Sequence, residues 1–387
     1  MDVPQLRALL SVTRESTYMN TGWVGPAPAP VIRKITETLE EHARFGGAST
    51  KGLAFARRTN EEAREAIAAL LGAQLDEVSI THSTTEGVDI VLYGLRWQPG
   101  DRLVICDLEH PALTLPAQVL THRQRVEVVR TAIGHDASVE DILHAINSAL
   151  SETTRLVALS HIEYTCGLRM PVRRIVDLLQ SRGIPLLIDG AQSVGHIDVN
   201  VAALGVDFYS HSGQKWLMGP EGTGALFIRK DRQSMLEPLF TTNTLEEARG
   251  FVRPALARFG LTSQNPGLAA GLTEAVRLAM MIGLPAIEAH ACQLGSQLVE
   301  EAAGIRGCSI LSATAPGLAS GLTTVALEGW PAADLVTTLQ DKHRIVARAM
   351  NHPEGVRFST SYFNTEEEVT RVGQVLRDLA ATGPVPL

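Results

Sequence analysis

The stretch that decides the fold reads Gly183-Ile-Pro-Leu-Leu-Ile-Asp-Gly-Ala-Gln-Ser193, then Val206-Asp-Phe-Tyr-Ser-His-Ser-Gly-Gln-Lys-Trp216, then Gly219-Pro-Glu-Gly-Thr-Gly-Ala-Leu-Phe-Ile-Arg229. Its three apolar runs, residues 184–188, 206–210 and 224–229, are typical of short buried strands. Ligands bind at the carboxyl ends of strands in open α/β sheets. We therefore expect Asp189 and the polar segment that ends at Lys215 to lie at one rim of a sheet.

An acid after one strand and a lysine after the next suit a particular cofactor. A lysine amine can form a Schiff base with an aldehyde, and an aspartate can hold a pyridine nitrogen protonated. Pyridoxal phosphate (PLP) requires both groups. Taken alone, Asp189 is more simply explained as a turn cap and Lys215 as a solvated lysine. Their order and spacing together favour a PLP site.

This block resembles the class V aminotransferase (cysteine desulfurase-like) family of fold-type I PLP enzymes, in which Asp-x-Ala-Gln/His is followed by Ser-x-His-Lys. The resemblance extends over nearly the whole chain. It implies an α/β fold, with a large domain built on a mostly parallel seven-stranded sheet and a small C-terminal α/β domain. The segment Val356-Arg-Phe-Ser-Thr-Ser-Tyr-Phe-Asn-Thr365 resembles the subgroup of cysteine/cystine C–S lyases and isopenicillin N epimerase-like proteins.

Length and composition agree with an enzyme of this kind. The 387 residues are 45% hydrophobic and 20% charged, which suits two subdomains with a large buried core. A net charge of −8 provides no basic field for nucleic acid. No apolar run approaches the ~18 residues that a membrane helix needs. We also find no signal-peptide pattern, and therefore expect a cytoplasmic protein with reduced cysteines.

The order of apolar periods predicts three parts of the chain. We expect an N-terminal arm at 1–28, a large PLP-binding domain at 29–265, and a small domain with a linking helix at 266–387. Strands and helices alternate through the large domain, which indicates a parallel sheet. Within it, residues 48–58 are small, polar and basic, and we interpret them as a loop near a dimer interface.

Hydroxyl residues at a strand-to-helix turn predict a phosphate site. Ser83, Thr84 and Thr85 combine side-chain donors with the free N–H groups of a helix N-terminus. Ordinary helix capping would use the same residues. The resemblance to the family's Thr-Thr-Glu-Gly phosphate cup favours the phosphate.

The resemblance also assigns the remaining cofactor contacts. His110 matches the position whose imidazole stacks on the pyridine ring, while Ser263 matches a hydroxyl that reaches the phosphate of the neighbouring subunit and so implies a homodimer with shared sites. Lys215, Asp189 and His110 are the expected catalytic residues. The full expected cofactor set is Ser83, Thr84, Thr85, His110, Asp189, Ala191, Gln192, Ser210, Ser212, Gln214, Lys215 and Ser263.

The chain departs from the family at two places near the cofactor. Gln214 stands where the family has a histidine before the lysine, and glutamine cannot shuttle protons. Tyr164 and Thr165 occupy the region of an asparagine that contacts the phenolic oxygen of PLP. The nearby His161-x-Glu163 resembles a zinc deaminase motif, but no Pro-Cys-x-x-Cys follows it, so we predict no metal.

Two arginines and the N-terminal arm are the expected substrate contacts. Arg348 and Arg357 fall at strand ends and resemble family arginines that clamp the substrate carboxylate, a task suited to the planar guanidinium fork. We rank Arg348 above Arg357. Thr21, Gly22 and Trp23 belong to a Gly- and Pro-rich segment that lines the substrate side in the family.

The cysteines limit the reaction. Cysteine desulfurases need a nucleophilic thiolate on a mobile loop, either within 312–322 or just after Arg348, and neither segment contains a cysteine. We therefore expect C–S cleavage of a cysteine derivative by β-elimination. Epimerisation and transamination of an amino acid stay open as alternatives. A non-catalytic PLP-fold binding protein is disfavoured by the intact pair Asp189 and Lys215.

Overall fold

The computed structural model describes residues 1–239, 259–260 and 264–383. Its α-helices, numbered along the described chain, are α1 (Val3–Ala8), α2 (Ala29–Phe45), α3 (Thr50–Leu71), α4 (Thr84–Gly94), α5 (Pro111–Gln124), α6 (Val139–Ala149), α7 (Val172–Gln180), α8 (Val201–Leu204), α9 (Pro266–Ile282), α10 (Leu284–Ala303), α11 (Ala332–His343) and α12 (Glu366–Thr382).

The strands alternate with these helices. They are β1 (Thr17–Tyr18), β2 (Val78–Thr81), β3 (Arg102–Cys106), β4 (Glu127–Thr131), β5 (Thr154–Ser160), β6 (Leu186–Asp189), β7 (Phe208–Ser212), β8 (Gly224–Ile228), β9 (Cys308–Ile310), β10 (Leu322–Leu327), β11 (Ile345–Val346), β12 (Arg348–Asn351) and β13 (Glu354–Ser359).

The large sheet has seven strands in the order β2-β8-β7-β6-β5-β3-β4. Strands β3 to β7 pair in parallel, whereas β8 runs antiparallel between β7 and β2. This confirms the α/β fold and the mostly parallel seven-stranded sheet. Helices cover both faces of the sheet, which explains why the central strands are apolar runs without polar alternation.

The side chains of β7 show how the sheet divides the core. Phe208 packs into the cluster on the side of α4 and α5, whereas Tyr209 packs into the cluster on the opposite side. Successive residues of a strand point to opposite faces. Ser210 and Ser212 therefore share the face of α4, and both hydroxyls reach the first residue of that helix.

A smaller antiparallel sheet follows, in the order β12-β13-β10-β9, and packs on α10, α11 and α12. The N-terminal arm is tied to it, because β1 pairs in parallel with β11 and Asn20 forms a bridge with Ser359. The arm therefore runs from the small sheet towards the rim of the large one.

The loop predicted at 48–58 is wrong. The helix α3 begins at Thr50 and includes most of that segment, with Ser49 as its N-cap accepting the Gly52 N–H at 2.9 Å. Alanine, arginine, lysine and leucine are strong helix formers, and two phenylalanines in and beside the segment pack edge to face. The sparse apolar residues that suggested a loop belong to an exposed helix start.

Helix α9 packs against α2 and α3, and therefore on the large domain. It begins at Pro266, at the boundary that we had expected for the small domain. We retain the division into 1–28, 29–265 and 266–387 as a proposal, with α9 as the linking helix. Of the described helices none is by itself long and apolar enough to cross a membrane, and α9 with α10 meets that length and composition test only as a pair bent by 78°.

Candidate active site

The carboxyl ends of β6 and β7 open into a cleft of about 330 Å³. Asp189 ends β6, Ser212 ends β7, and Lys215 lies in the turn after it, so the structure brings the predicted acid and lysine to one rim. The cleft is lined by Trp23, Val24, Ser83, Thr84, Thr85, His110, Ala112, Asp189, Ala191, Ser212, Gln214, Lys215, Glu221 and Arg348.

Lys215 is a buried amine facing a carboxylate. Burial lowers its pKa to about 8, an effect that the charge of Asp189 opposes and those of Arg357 and Arg348 reinforce. The N-terminal arm lies directly on its turn, because the Gly25 N–H donates to the Gln214 carbonyl at 2.7 Å. A Cβ on Gly25 would lie 2.1 Å from the Lys215 carbonyl oxygen, so only glycine permits this approach.

Asp189 is fixed by its own turn. Its Oδ1 accepts the Ala191 N–H at 2.8 Å, and the side chain is almost fully buried. Burial raises its pKa above the usual value, while Lys215 and the Ala191 N–H oppose that rise. A positively charged ring nitrogen brought against this carboxylate would favour the ionised form further.

The opposite end of the cleft is the N-terminus of α4. Ser83 is the N-cap and accepts the Glu86 N–H, and the Thr84 and Ser212 hydroxyls lie 2.6 Å apart. Ser210 does not line the cleft; its hydroxyl donates to the Thr84 carbonyl at 2.9 Å and holds the helix in place. Hydroxyls beside the positive end of a helix form a ready anion site.

His110 lines the cleft as a neutral ring. Its Nδ1 accepts the Ala112 N–H at 3.0 Å at the start of α5, which leaves the proton on Nε2. Burial and the nearby cations lower its pKa to about 4. Tyr164 meets it edge to face, with ring centroids 4.8 Å apart.

Gln192, expected to contact the cofactor, joins the arm to the lysine turn. Its Nε2 donates to the Gly22 carbonyl at 2.8 Å, and its Oε1 accepts the Trp216 Nε1–H at 2.9 Å. His196, which no sequence motif pointed to, stacks on Trp216 with ring centroids 3.6 Å apart. Its Nε2 accepts the Gly321 N–H at 2.9 Å, so this imidazole links the two sheets.

The two arginines differ in their environment. Arg357 is fully buried; its Nη1 donates to the Tyr164 carbonyl at 2.8 Å, while its Nε and Nη2 have no partner among the described residues. Arg348 is half-buried, with its Cζ 4.5 Å from the centroid of the Trp23 ring. A free, buried Nε/Nη2 fork is the better carboxylate receptor, so the geometry favours Arg357, the reverse of our ranking from the sequence.

Two buried glutamates lie together next to the site, and the sequence did not predict that they meet. Glu109 accepts the N–H and hydroxyl of Ser160 at 2.9 and 2.6 Å, and neither oxygen of Glu163 has a hydrogen-bond partner. Ligand atoms of Cys106, Glu109 and Glu163 lie within 4.8 Å of one another. Burial raises the pKa of Glu109 to about 8 and that of Glu163 well above its usual value. The sequence signal for this cluster is Glu163, an acidic residue shortly after the apolar strand β5.

Two hydroxyls near the predicted site are buried and have no hydrogen-bond partner among the described residues. Thr21 is buried with a hydroxyl that lacks a partner, as is Thr165. Ser263 lies outside the described residues. The cysteines stay away from the cleft: all four are free thiols and none lines it.

The comparison with protein families decides the identity of the fold. The model of the family "Aminotransferase class-V" matches residues 25–372. The chain belongs to the class V aminotransferase family. Its residues also fit PLP, because the cleft offers a buried lysine, a buried aspartate and a helix N-terminus at its two ends. The class V chain is accordingly a PLP-dependent enzyme.

Relatives of this class V enzyme carry different activities in their names. A probable cysteine desulfurase of Methanothermobacter thermautotrophicus is 30% identical over 99% of both chains. An isopenicillin N epimerase of Amycolatopsis lactamdurans is 27% identical over 97% of this chain and 98% of its own.

A solved structure is similar over the whole fold. It is a complex of the cystine C–S lyase C-DES with its product cysteine persulfide; it has a TM-score of 0.89 and 26% identity, and covers 98% of this chain and 100% of its own. A second C-DES structure, with glycine covalently linked to the PLP cofactor, has a TM-score of 0.88 and 25% identity over 98% and 99% of the two chains.

Proposed function

We propose that this class V enzyme cleaves the C–S bond of a cysteine derivative by β-elimination. The observation that carries the proposal is the content of the cleft, which contains Lys215 and Asp189 but no cysteine. The structural similarity to a cystine C–S lyase supports it. We further propose a homodimer with shared sites, and the cytoplasmic location expected from the sequence stays a prediction.

Each end of the cleft would bind a different part of the cofactor. Lys215 would hold PLP covalently, Asp189 would keep the ring nitrogen protonated, and the N-terminus of α4 with Thr84 would hold the phosphate. His110, neutral and fixed by Ala112, would contact the ring without adding charge. Bound PLP supplies a ring that accepts electrons from the substrate Cα.

The substrate would be oriented by its carboxylate. The free Nε and Nη2 of Arg357 would bind the two carboxylate oxygens side by side. Once the substrate amine has displaced it from the cofactor, the Nζ of Lys215 would take the proton from Cα, a role that suits an amine whose pKa is lowered to about 8. Departure of the sulfur substituent as a thiol, with uptake of one water, gives pyruvate and ammonium.

The cysteines argue for elimination and against persulfide transfer. Burial raises the pKa of Cys166 to about 12, and the pKa values of Cys292 and Cys308 to about 11. The pKa of Cys106 is raised further still. A persulfide acceptor must be a thiolate close to the substrate, whereas burial favours the neutral form of these four thiols and none of them lines the cleft.

The test is a panel of S-substituted cysteines given to the PLP-loaded enzyme. We expect equal amounts of pyruvate and thiol without added keto acid or external thiol. An inverted amino acid with no pyruvate would establish the epimerase alternative, for which the similarity to isopenicillin N epimerase is the specific support. Turnover that requires a keto-acid acceptor would establish an aminotransferase.

A further inference from the structure

Two positive side chains project side by side at the substrate end of the cleft. Arg348 of β12 and Arg357 of β13 are direct partners in the antiparallel register. Opposed residues share one face of the sheet, and like charges in such positions destabilise it. Tyr164 acts on both guanidinium charges and Arg348 acts on that of Arg357, but no carboxylate of the described chain does. Within the described residues the pair therefore has no counter-ion.

One carboxylate is enough for Arg357. Its Nη1 is already bonded to the Tyr164 carbonyl, and Nε with Nη2 forms one fork of two parallel donors. A single α-carboxylate fills this fork, after which each nitrogen of the buried guanidinium has one partner. The charge of Arg348 is then in excess of what the α-carboxylate requires.

Arg348 is placed nearer to the solvent. It lines the cleft itself, whereas Arg357 does not, and its guanidinium lies over the Trp23 ring. Trp23 is 55% exposed, so this stack forms part of the outer wall. An aromatic face orients a guanidinium and leaves its N–H edge free for an anion. That edge is available to a group more distant from Cα than the α-carboxylate.

We propose that Arg348, oriented by Trp23, binds a second carboxylate at the far end of the substrate side chain. The inference rests on the proposed function and narrows its substrate class to cysteines whose sulfur substituent ends in a carboxylate. A substrate of this kind would supply both missing counter-ions at once. An S-alkyl cysteine would neutralise Arg357 alone.

The experiment uses two ligands that differ in one group, S-(carboxymethyl)cysteine and S-(carbamoylmethyl)cysteine. Their affinities for the PLP-loaded enzyme are measured from the change in absorbance of the bound cofactor, independently of any product. We expect the acid to bind about tenfold more tightly than its amide, the usual scale of one charge-assisted hydrogen bond. Arg348→Gln should bring this ratio close to one.

The matched control is the cross-strand partner. Arg357→Gln should weaken both ligands by the same factor and keep the preference for the acid, because both ligands carry the α-carboxylate. Trp23→Leu removes the surface under Arg348 without touching either charge, and should lower the ratio partially. This variant keeps the test valid if Arg348→Gln folds poorly.

Three results would contradict the inference. Equal affinity of the native enzyme for acid and amide would overturn it and leave the proposed function intact. Equal weakening of both ligands by Arg348→Gln would mean that both arginines hold the α-carboxylate. Failure of the native enzyme to bind or cleave either ligand would instead overturn the proposed function, and the inference with it.

Discussion

Lys215 is the residue on which the chemistry depends. We expect borohydride reduction of the PLP-loaded enzyme, followed by peptide mass spectrometry, to find the pyridoxyl group on Lys215. Lys215→Ala should abolish this label, because the described lining of the cleft contains no other amine side chain. Lys230→Ala, a change at an exposed lysine paired with Asp76, is the control and should keep the label. A label on a different lysine of the native enzyme would show that the assignment is wrong.

The lowered pKa of Lys215 has its own consequence for cofactor uptake. Only the neutral amine attacks the aldehyde of PLP, and burial lowers the pKa of Lys215 to about 8. The neutral fraction therefore passes through one half at a pH of about 8 and levels off above it. We expect the rate of PLP uptake by the apoprotein, followed by absorbance, to show that midpoint. A rate that continues to rise to pH 10 would indicate an ordinary solvated lysine.

Asp189 should contribute through its charge. Asp189→Asn retains the shape and the bond to Ala191 but cannot keep a pyridine nitrogen protonated. We expect turnover per bound PLP to fall by roughly 100-fold, the scale of losing one charge or proton partner. The exposed Asp198→Asn is the control. Near-native turnover of a fully loaded Asp189→Asn protein would remove Asp189 from this role.

The buried Glu163 side chain should lower the free energy of unfolding. Its carboxyl is fully buried without a hydrogen-bond partner, and burial raises its pKa above that of the unfolded chain. Protonation therefore favours folding, and the penalty grows as the pH rises from the unfolded pKa towards the folded one. We expect Glu163→Leu to stabilise the protein by about 1–3 kcal/mol, more at pH 8 than at pH 5, in urea unfolding. An equal or opposite effect at the two pH values would contradict this.

Sequence reasoning at the residue scale succeeded where a side chain ends a strand within a recognisable motif. Asp189, Lys215, Ser212 and His110 all line the cleft as expected. It did not predict the burial of Glu163 beside Glu109 or the stack of His196 on Trp216, because those contacts join segments far apart in the chain. The ranking of the two arginines stays a prediction, and the sequence could not show which of them has buried, free donors, because burial depends on tertiary neighbours.

At the scale of elements, the N-terminus of α4 carries a prediction about the phosphate. Thr84→Val removes one hydroxyl from this end of the cleft and keeps the β-branched shape. We expect PLP to dissociate roughly tenfold more readily, as for the loss of one hydrogen bond to a charged group. Thr59→Val, which removes a buried hydroxyl inside α3, is the matched control. Unchanged PLP affinity would mean that the hydroxyl serves only the helix cap.

Elements with local start and stop signals were predictable, and those without were not. Helix α9 begins at Pro266 after the N-cap Asn265, and Gly283 separates it from α10, so both ends of α9 carry local sequence signals. The start of α3 was missed because its first turns face solvent and have no apolar period. An apolar period in the sequence predicts a helix only where that helix packs against the core.

At the scale of the whole molecule, the cysteines test the reaction class. A variant with all four changed to alanine should retain its turnover per bound PLP in the fraction that folds, because none of the thiols lines the cleft. Buried Cys106 and Cys166 leave small cavities, so some loss of stability is expected. Loss of turnover with full PLP loading would point to persulfide chemistry.

Mixed dimers test the proposed shared site. If Ser263 acts across the subunit boundary, Lys215→Ala and Ser263→Ala chains complement each other, because one site of the mixed dimer then contains both native residues. We expect co-expressed chains to show up to half of the native activity, well above either homodimer. If Ser263 acts within its own subunit, no mixed site is complete and activity stays at the level of the Ser263→Ala protein.

The seat of the N-terminal arm has a consequence for how the enzyme is made. The Gly22 N–H donates to the hydroxyl of Ser359, a residue 337 positions later, and the Gly22 carbonyl accepts from Gln192. During translation the lysine rim is complete long before β13 leaves the ribosome, whereas Ser359 can accept the Gly22 N–H only afterwards. The arm therefore gains this contact on a nearly finished polypeptide, and a chain that ends before β13 retains Lys215 but lacks both Arg357 and Ser359.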